Sequence, residues 1–291
     1  MHSHFVEKGR ETMPDDKLTI FTLNLNNQRP DPRGDQLVRD ALIDLRPDLI
    51  SFQEVDWNGE DPHQGTDILE GLDYQSIHQF DLQRPDRPYG TLIASRWPIS
   101  RSDLVKLPST ERGKAFPRAI QAALIEAPKP IGSLLFINPK PHYEPYMELE
   151  REMQAVALAD YIERNADPDG FPPIVAGDLD ATPEASSIRF LTGLQSLNGR
   201  STHLVDAWKA AGNDGPGYTW SCENALVEQV AERIVREKGH RRRLDYILVG
   251  APLLYSGYAR VETCRVVLDQ PCDGIWASGH FGVFAELALC S

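Results

Sequence analysis

Hydrophobic and polar positions along the chain fall into short alternating runs, separated by turn residues and interrupted by a few helical stretches. "KLTIFTLNLNN", Lys17 to Asn27, alternates as a strand does and ends in Asn-rich turn residues. In "RGDQLVRDALIDLRPDL" the apolar residues Leu37, Val38, Leu42 and Leu45 recur at near-helical spacing, and the pattern stops before Pro47. "DLISFQEVDW" reads as a buried strand ending in charge, and "GTLIASRWPI" as another. "RAIQAALIEA" and "GSLLFIN" form a hairpin pattern around the turn "PKPIG". The longest helical pattern is "YMELEREMQAVALADYIERNA", with Met147, Met153, Val156, Leu158 and Tyr161 near one side. "PPIVAGDLDATP" is a strand followed by a tight polar turn, and "RRLDYILVG", "ARVETCRVVL" and "HFGVFAELAL" close the chain as strands.

Strand pairs joined by tight turns, mixed with helices on separate stretches, predict an α/β (α+β) chain with mixed sheets and helices packed outside. A Rossmann fingerprint and a P-loop are both absent. No fixed-period repeat or low-complexity segment occurs, and "NDGPG" and "DPDGFPP" are loop punctuation. The expectation is one domain over residues 17–291 behind a polar, flexible leader of residues 1–16. That leader lacks the apolar stretch of a signal peptide, and Met13 is an alternative start.

Composition narrows the picture. Hydrophobic residues make up 41% of the chain, and the mean hydropathy is −0.39, both ordinary for a globular protein. No apolar run approaches the roughly 18–20 residues of a membrane span. The four cysteines have neither metal-like spacing nor a disulfide-dense pattern, so the expected setting is cytoplasmic. The net charge of −13 opposes a long polyanion footprint and suits a protein that holds a divalent cation between carboxylates. One basic cluster, "EKGHRRRLDY" from Lys238 to Tyr246, reads either as a solvated loop or as a phosphate-facing rim with Arg243 among its cations.

In five places an apolar strand ends in a residue able to ligate or polarise: Asn24 and Asn26, Glu54, Asp178 and Asp180, Asp245, and His280. Asn and Asp are ordinary turn formers when taken singly. Glu54 is harder to dismiss, because an unpaired carboxylate directly after a hydrophobic strand is expensive. Strand ends converge in a layered fold, so such groups can meet in one cleft. Oxygen ligands of this kind suit Mg²⁺ or Mn²⁺, and an Asp beside a His orients the imidazole.

The ordered set "TLNLNN", "ISFQEVD", "GTLIAS", "VAGDLDATPEASSIRFLTG", "RRLDYILV" and "SGHFGVFAEL" resembles the endonuclease/exonuclease/phosphatase superfamily, the DNase-like fold, over about Leu18 to Leu287. The resemblance implies a four-layered sandwich, two mixed sheets face to face with helices outside. It also implies Mg²⁺- or Mn²⁺-dependent cleavage of a phosphate ester, in nucleic acid or a small phosphodiester. By position, Asn24 or Asn26 and Glu54 correspond to the metal-proximal pair. Asp178 corresponds to the aligner of the attacking water, and Asp180 to a contact of phosphate or nucleophile. Asp245 corresponds to the orienter of the last His, and His280 to the group that meets the phosphate oxygens. The chain departs from the pattern twice. Gly279 stands where a carboxylate is expected, and "FINPKPHYEP" puts Pro139 and Lys140 where the second His is expected, with His142 displaced by about 10 Å of extended chain. Asn138 and Lys140 remain as candidate phosphate contacts, Lys140 as a point charge.

Two function classes follow. One is a phosphoesterase, nuclease or phosphatase, with activity reduced by Gly279 and Pro139. The other is a non-catalytic module that binds a phosphorylated ligand or a protein in the same cleft. "YTWSCEN" offers Trp220 either as a stacking platform at the substrate rim or as a ring packed under a loop, and "VDAW" reads as core and edge. Substrate identity and oligomeric state are not legible in the sequence.

Overall fold

The computed structural model describes residues 17–25, 31–57, 63–79 and 89–289. Asn26 and the leader of residues 1–16 lie outside the described residues.

Two six-stranded mixed sheets carry the chain. The first runs β13 (Ala259–Val267), β14 (Gly282–Leu289), β1 (Lys17–Asn24), β2 (Leu49–Asp56), β4 (Tyr89–Ser95), β3 (Gln75–Gln79). The second runs β5 (Ile99–Lys106), β6 (Ala119–Glu126), β7 (Ser133–Lys140), β8 (Ile174–Asp178), β12 (Asp245–Gly250), β9 (Leu204–Asp206). The expected hairpin is β6 and β7, antiparallel from Ala119↔Lys140 to Glu126↔Ser133. "VDAW" supplies the edge strand β9.

Strand alternation sorts the apolar residues into layers. Leu18, Ile20 and Leu49 of the first sheet face Phe136, Ile174, Ala176 and Ile247 of the second, forming the core between the sheets. The opposite parity, Phe21, Leu23, Ile50 and Phe52, packs outward on Val38 and Leu42 of α1 (Arg33–Leu45) and Ile68 of α2 (Gln64–Leu69). On the other side Ile137, Val175 and Leu248 pack outward on Leu158 and Ile162 of α3 (Glu148–Asn165) and Ile188 of α4 (Ser186–Leu191). The result is the expected four-layered sandwich. Two short helices, α5 (Ala207–Ala210) and α6 (Glu228–Ile234), and a ribbon of β10 (Trp220–Ser221) with β11 (Arg241–Arg242) complete the described elements. Among these, no helix is long and apolar enough to cross a membrane.

This alternation positions the site. Asn24 shares the inward parity of Leu18 and Ile20, Lys140 that of Phe136, Asp178 that of Ile174 and Ala176, and Asp245 that of Ile247. All four side chains therefore lie between the sheets at one end of the sandwich.

Candidate active site

Four inward side chains and one redirected one make the centre. Asn24 Nδ2 donates to Asp178 Oδ2 at 2.8 Å and to Glu54 Oε1 at 3.1 Å, linking the two sheets. Simple alternation would put Glu54 on the helix side with Ile50 and Phe52. It does not go there because the β2–β4 register shifts between Phe52 and Val55 and Glu54 takes φ 52°, the left-handed region. Such a bulge re-aims one side chain, and the non-glycine backbone costs about 1–3 kcal/mol that the surrounding sheets must outweigh. Asp180 is also left-handed, with φ 50°, and its backbone N–H donates to Asp178 Oδ1 at 2.9 Å. Two of the site's carboxylates thus sit on strained backbone.

Lys140 lies at the middle of this cluster. Its ammonium is 2.6 Å from Asp178 and 3.2 Å from Glu54, and it pairs with Asp180 as well. The lysine side chain is 3% exposed. Burial opposes its charge, but Asp178, Asp180 and Glu54 outweigh burial and hold the ammonium well above its ordinary value. Burial alone would raise Asp178, yet Lys140 and His280 bring it down to about 2. Burial and the Asp178 charge push Asp180 up to about 7. Two adjacent carboxyls are therefore driven apart in acidity, as in sites that separate an ionised group from a proton acceptor. Glu54 is held below its usual range: burial works against this, but Lys140 and His280 prevail.

The second half of the centre is an Asp–His pair. Asp245 stands opposite Asp178 in the β8–β12 register, and His280 Nδ1 is 2.9 Å from Asp245 Oδ2. Burial lowers the imidazole, but Asp245 and Asp178 reverse this and raise it to about 9. At neutral pH His280 is an imidazolium that donates from Nδ1 to Asp245 and turns its other nitrogen to the cavity it lines. Thr219, which the sequence reading passed over, completes the pair. Its hydroxyl donates to Asp245 Oδ2 at 2.6 Å and accepts from the backbone N–H groups of Leu244 and Asp245. Ser278 and Asn224 were missed too. The Ser278 hydroxyl donates to the Asn24 carbonyl at 2.6 Å, and Asn224 Nδ2 donates to the carbonyls of Ser278 and Gly279 at 2.7 and 3.3 Å. Arg118 is a further buried cation near Asp180 and Glu54, with its Nε and Nη2 unpartnered.

Three expectations are corrected. Asn138 is fully buried below the site. Its Nδ2 donates to the carbonyls of Phe52 and Leu92, and its Oδ1 accepts from Gln53. It bonds the strand next to the bulge that aims Glu54 and is not among the residues lining the cavity beside the centre. Arg243 is buried in a bidentate pair with Asp206 at 2.9 and 2.7 Å, its guanidinium 4.6 Å from the Tyr246 ring centre, so it is no phosphate-facing rim. Pro139 has the outward parity of Ile137 and lies against Gly177, where an added Cβ would come 2.8 Å from the proline ring. A His there would face the helix layer, and the cleft position of this strand is Lys140. His142 points elsewhere, with Nε2 3.1 Å from Ser109 Oγ.

The donor set fits a hard cation. The carboxylates of Glu54, Asp178 and Asp180 all reach the Lys140 ammonium and are oxygen donors of the type a hard cation takes, and Asp245 Oδ1 is buried without a hydrogen-bond partner. The Lys140 ammonium draws on the same three carboxylates, so a divalent ion would compete with it for them, and Glu54, with a side chain 20% exposed, opens onto the cavity. The grouping of Asp178, Asp245 and His280 within 4.8 Å is better read as an ion pair, because Nδ1 of His280 is already committed to Asp245.

A cavity of about 380 Å³ adjoins the centre, lined on one side by Glu54, Asp180 and His280. Trp220 borders it and is packed on Val227, Ala231 and Leu244, a ring buried under the segment that carries Val227 and Ala231.

Solved structures share this fold. Zebrafish (D. rerio) TDP2 complexed with a single-strand DNA product is 18% identical, with TM-score 0.71, over 94% of this chain and 99% of that one. The human nocturnin catalytic domain with bound sulfate is 16% identical, with TM-score 0.70, over 95% and 96%. An endonuclease/exonuclease/phosphatase family protein from Bacteroides thetaiotaomicron is 18% identical, with TM-score 0.70, over 94% and 98%. No curated protein matches the chain in sequence. A sequence model of the Endonuclease/Exonuclease/phosphatase family matches residues 21–278, the span that contains every described residue of the centre except His280, two positions further on. The chain belongs to the endonuclease/exonuclease/phosphatase family.

Proposed function

We propose that this protein is a Mg²⁺- or Mn²⁺-dependent hydrolase of phosphate esters, with residues 17–291 acting as one catalytic domain. The observation that carries the reading is one hydrogen-bonded and ion-paired cluster of Asn24, Glu54, Lys140, Asp178, Asp180, Asp245 and His280, of which Glu54, Asp180 and His280 line the cavity. A purely structural site would not concentrate four carboxylates and two cations beside a cavity, with two of the carboxylates, Glu54 and Asp180, on strained backbone.

Hydrolysis needs an aligned water, an acceptor for its proton, and positive charge where the phosphorus oxygens become more negative. Glu54, supported by Asn24, would hold the divalent ion, which supplies electrostatic stabilisation of the phosphate. Asp178, ionised throughout the physiological range, positions the water. Asp180, near 7, takes the proton. His280 as an imidazolium offers an N–H to the phosphate oxygens, while Asp245 and Thr219 hold its ring. Lys140 neutralises the carboxylates that would otherwise repel an anionic substrate. The substrate is a phosphate ester, a nucleic acid or a small phosphodiester. A cytoplasmic setting is part of the proposal, in keeping with the free thiols of Cys222, Cys264 and Cys272.

The test is incubation with Mg²⁺ or Mn²⁺ and single-stranded DNA, duplex DNA and bis(4-nitrophenyl) phosphate. Turnover is expected on at least one substrate, reduced at least a thousandfold in Asp178→Ala and abolished by EDTA. No turnover above Asp178→Ala on any of them would leave the binding-module reading in its place.

A further inference from the structure

Only one side of the cavity is the reacting centre. The other is built by the segment between β10 and β11, which contains α6. That helix has two apolar faces. Val227 and Ala231 pack against Trp220 and Leu244, closing a small core of their own. Val230 and Ile234, one helical turn apart, belong to no buried cluster and line the cavity, together with Val227, Tyr89 and Tyr143. An apolar stripe turned toward a cavity beside charged chemistry needs an apolar occupant.

The charge of the same segment is unlike the rest of the chain. In a protein of net charge −13, residues 233–243 (RIVREKGHRRR) hold six Lys and Arg against one acid. Three of these are committed: Arg241 to Glu223, Arg242 to Glu237 and Arg243 to Asp206. Arg233 makes no ion pair among the described residues and borders the cavity next to Ile234.

We propose that this side of the cavity is a subsite for a compact aromatic or apolar group attached to the scissile phosphate, with Arg233 meeting a second anionic group on the same molecule. The substrate class is then a small organic phosphate ester carrying an apolar body and a further negative charge. The inference rests on the phosphoesterase reading for the identity of the reacting group, and its test reads binding without turnover.

The probes are non-hydrolysable phosphonates, titrated calorimetrically into the full chain with Mg²⁺: methylphosphonate, phenylphosphonate and 4-carboxyphenylphosphonate. Phenylphosphonate should bind about tenfold more tightly than methylphosphonate, the gain expected when on the order of 60 Å² of apolar surface leaves water. The 4-carboxy compound should gain a further severalfold. Val230→Asp should erase the phenyl gain and Val230→Ala should halve it, both with unchanged circular dichroism. Arg233→Gln should erase only the carboxylate gain. Equal affinity for the methyl and phenyl compounds overturns the proposal, as does binding of none at millimolar concentration or a phenyl gain that survives Val230→Asp. A carboxylate gain that survives Arg233→Gln removes the second anionic group. Graded binding of the phosphonates with no hydrolysis of any ester would sustain the subsite and overturn the phosphoesterase reading. Hydrolysis of methyl and aryl esters with equal KM would do the reverse.

Discussion

Lys140→Met isolates what the central ammonium does. The variant keeps the methylene stem and removes the charge. In the folded protein that leaves Asp178, Asp180 and Glu54 buried together without the cation that lies 2.6 Å from Asp178 and 3.2 Å from Glu54. Removing one partner of a buried ionic cluster costs about 3–5 kcal/mol. For a chain of this length the unfolding entropy is about 0.6 kcal/mol per kelvin, so the melting temperature in EDTA at pH 7 should fall by about 5–8 °C. The vacated position is bordered by the carboxylate oxygens of Glu54, Asp178 and Asp180, a donor type that suits Mn²⁺. Mn²⁺ at a hundredfold excess over its Kd should return about 2.7 kcal/mol, between roughly half and nine-tenths of the loss. Calorimetric titration should show tighter Mn²⁺ binding than in the wild type, because the ion no longer competes with the ammonium. The assay is thermal unfolding by circular dichroism with EDTA and with Mn²⁺, run beside the titration. A variant as stable as the wild type in EDTA, or one whose Mn²⁺-induced rise is no larger than the wild type's, would refute the reasoning.

Asp245→Asn removes the first of the two charges that outweigh burial at His280, so the imidazole should drop from about 9; NMR of the ring in the two proteins reads this directly, and the alkaline limb of the rate profile should move to acid with it. Because His280 is raised on folding, its contribution to stability is complete below pH 6.5 and is lost as pH rises through about 9. Urea midpoints at pH 6 and pH 10 should reveal a loss of up to about 3 kcal/mol in the wild type that is absent in His280→Gln. Arg243→Met should cost about 3–5 kcal/mol by stranding Asp206, yet leave kcat/KM of the folded fraction within a factor of two; a large kcat/KM loss would return Arg243 to the substrate. Thr219→Val should cost about 1–3 kcal/mol in thermal unfolding, since Asp245 already carries one unpartnered oxygen.

Period-two alternation made much of the centre legible. Asn24, Asp178 and Asp245 share the parity of the apolar residues that fill the space between the sheets, so a reader who trusts the strands can send all three into one cleft. The same rule assigns Lys140 to the cleft and Pro139 to the helix layer, a distinction blurred when the two are compared with a motif instead of with the pleat. Glu54 breaks the rule. Its parity is outward, and only the bulge with its left-handed backbone turns it in, a feature set by the Asn138 contact to the Phe52 carbonyl across the sheets. Asn138 itself has inward parity but lies two residues short of the strand end, about 6.6 Å deeper. Thr219, Ser278 and Asn224 carried no local signal because their partners are 26 to 254 positions away. For Arg243 the misleading feature was the run of three arginines, whose members face three different acids.

The ribbon of β10 and β11 has an evolutionary consequence. Its strands pair through two residue pairs, Trp220 with Arg242 and Ser221 with Arg241, and the segment between residues 222 and 240 extends from it. Apart from Asn224, which holds the Ser278 and Gly279 carbonyls, none of the groups named in the centre lies in that span. Lengthening such a loop costs only about 0.6 kcal/mol per doubling. The segment is therefore an exchangeable cartridge: descendants of this chain can trade it for longer, shorter or differently charged versions and acquire new substrates while the two sheets and their strained carboxylates pass unchanged from one enzyme to the next.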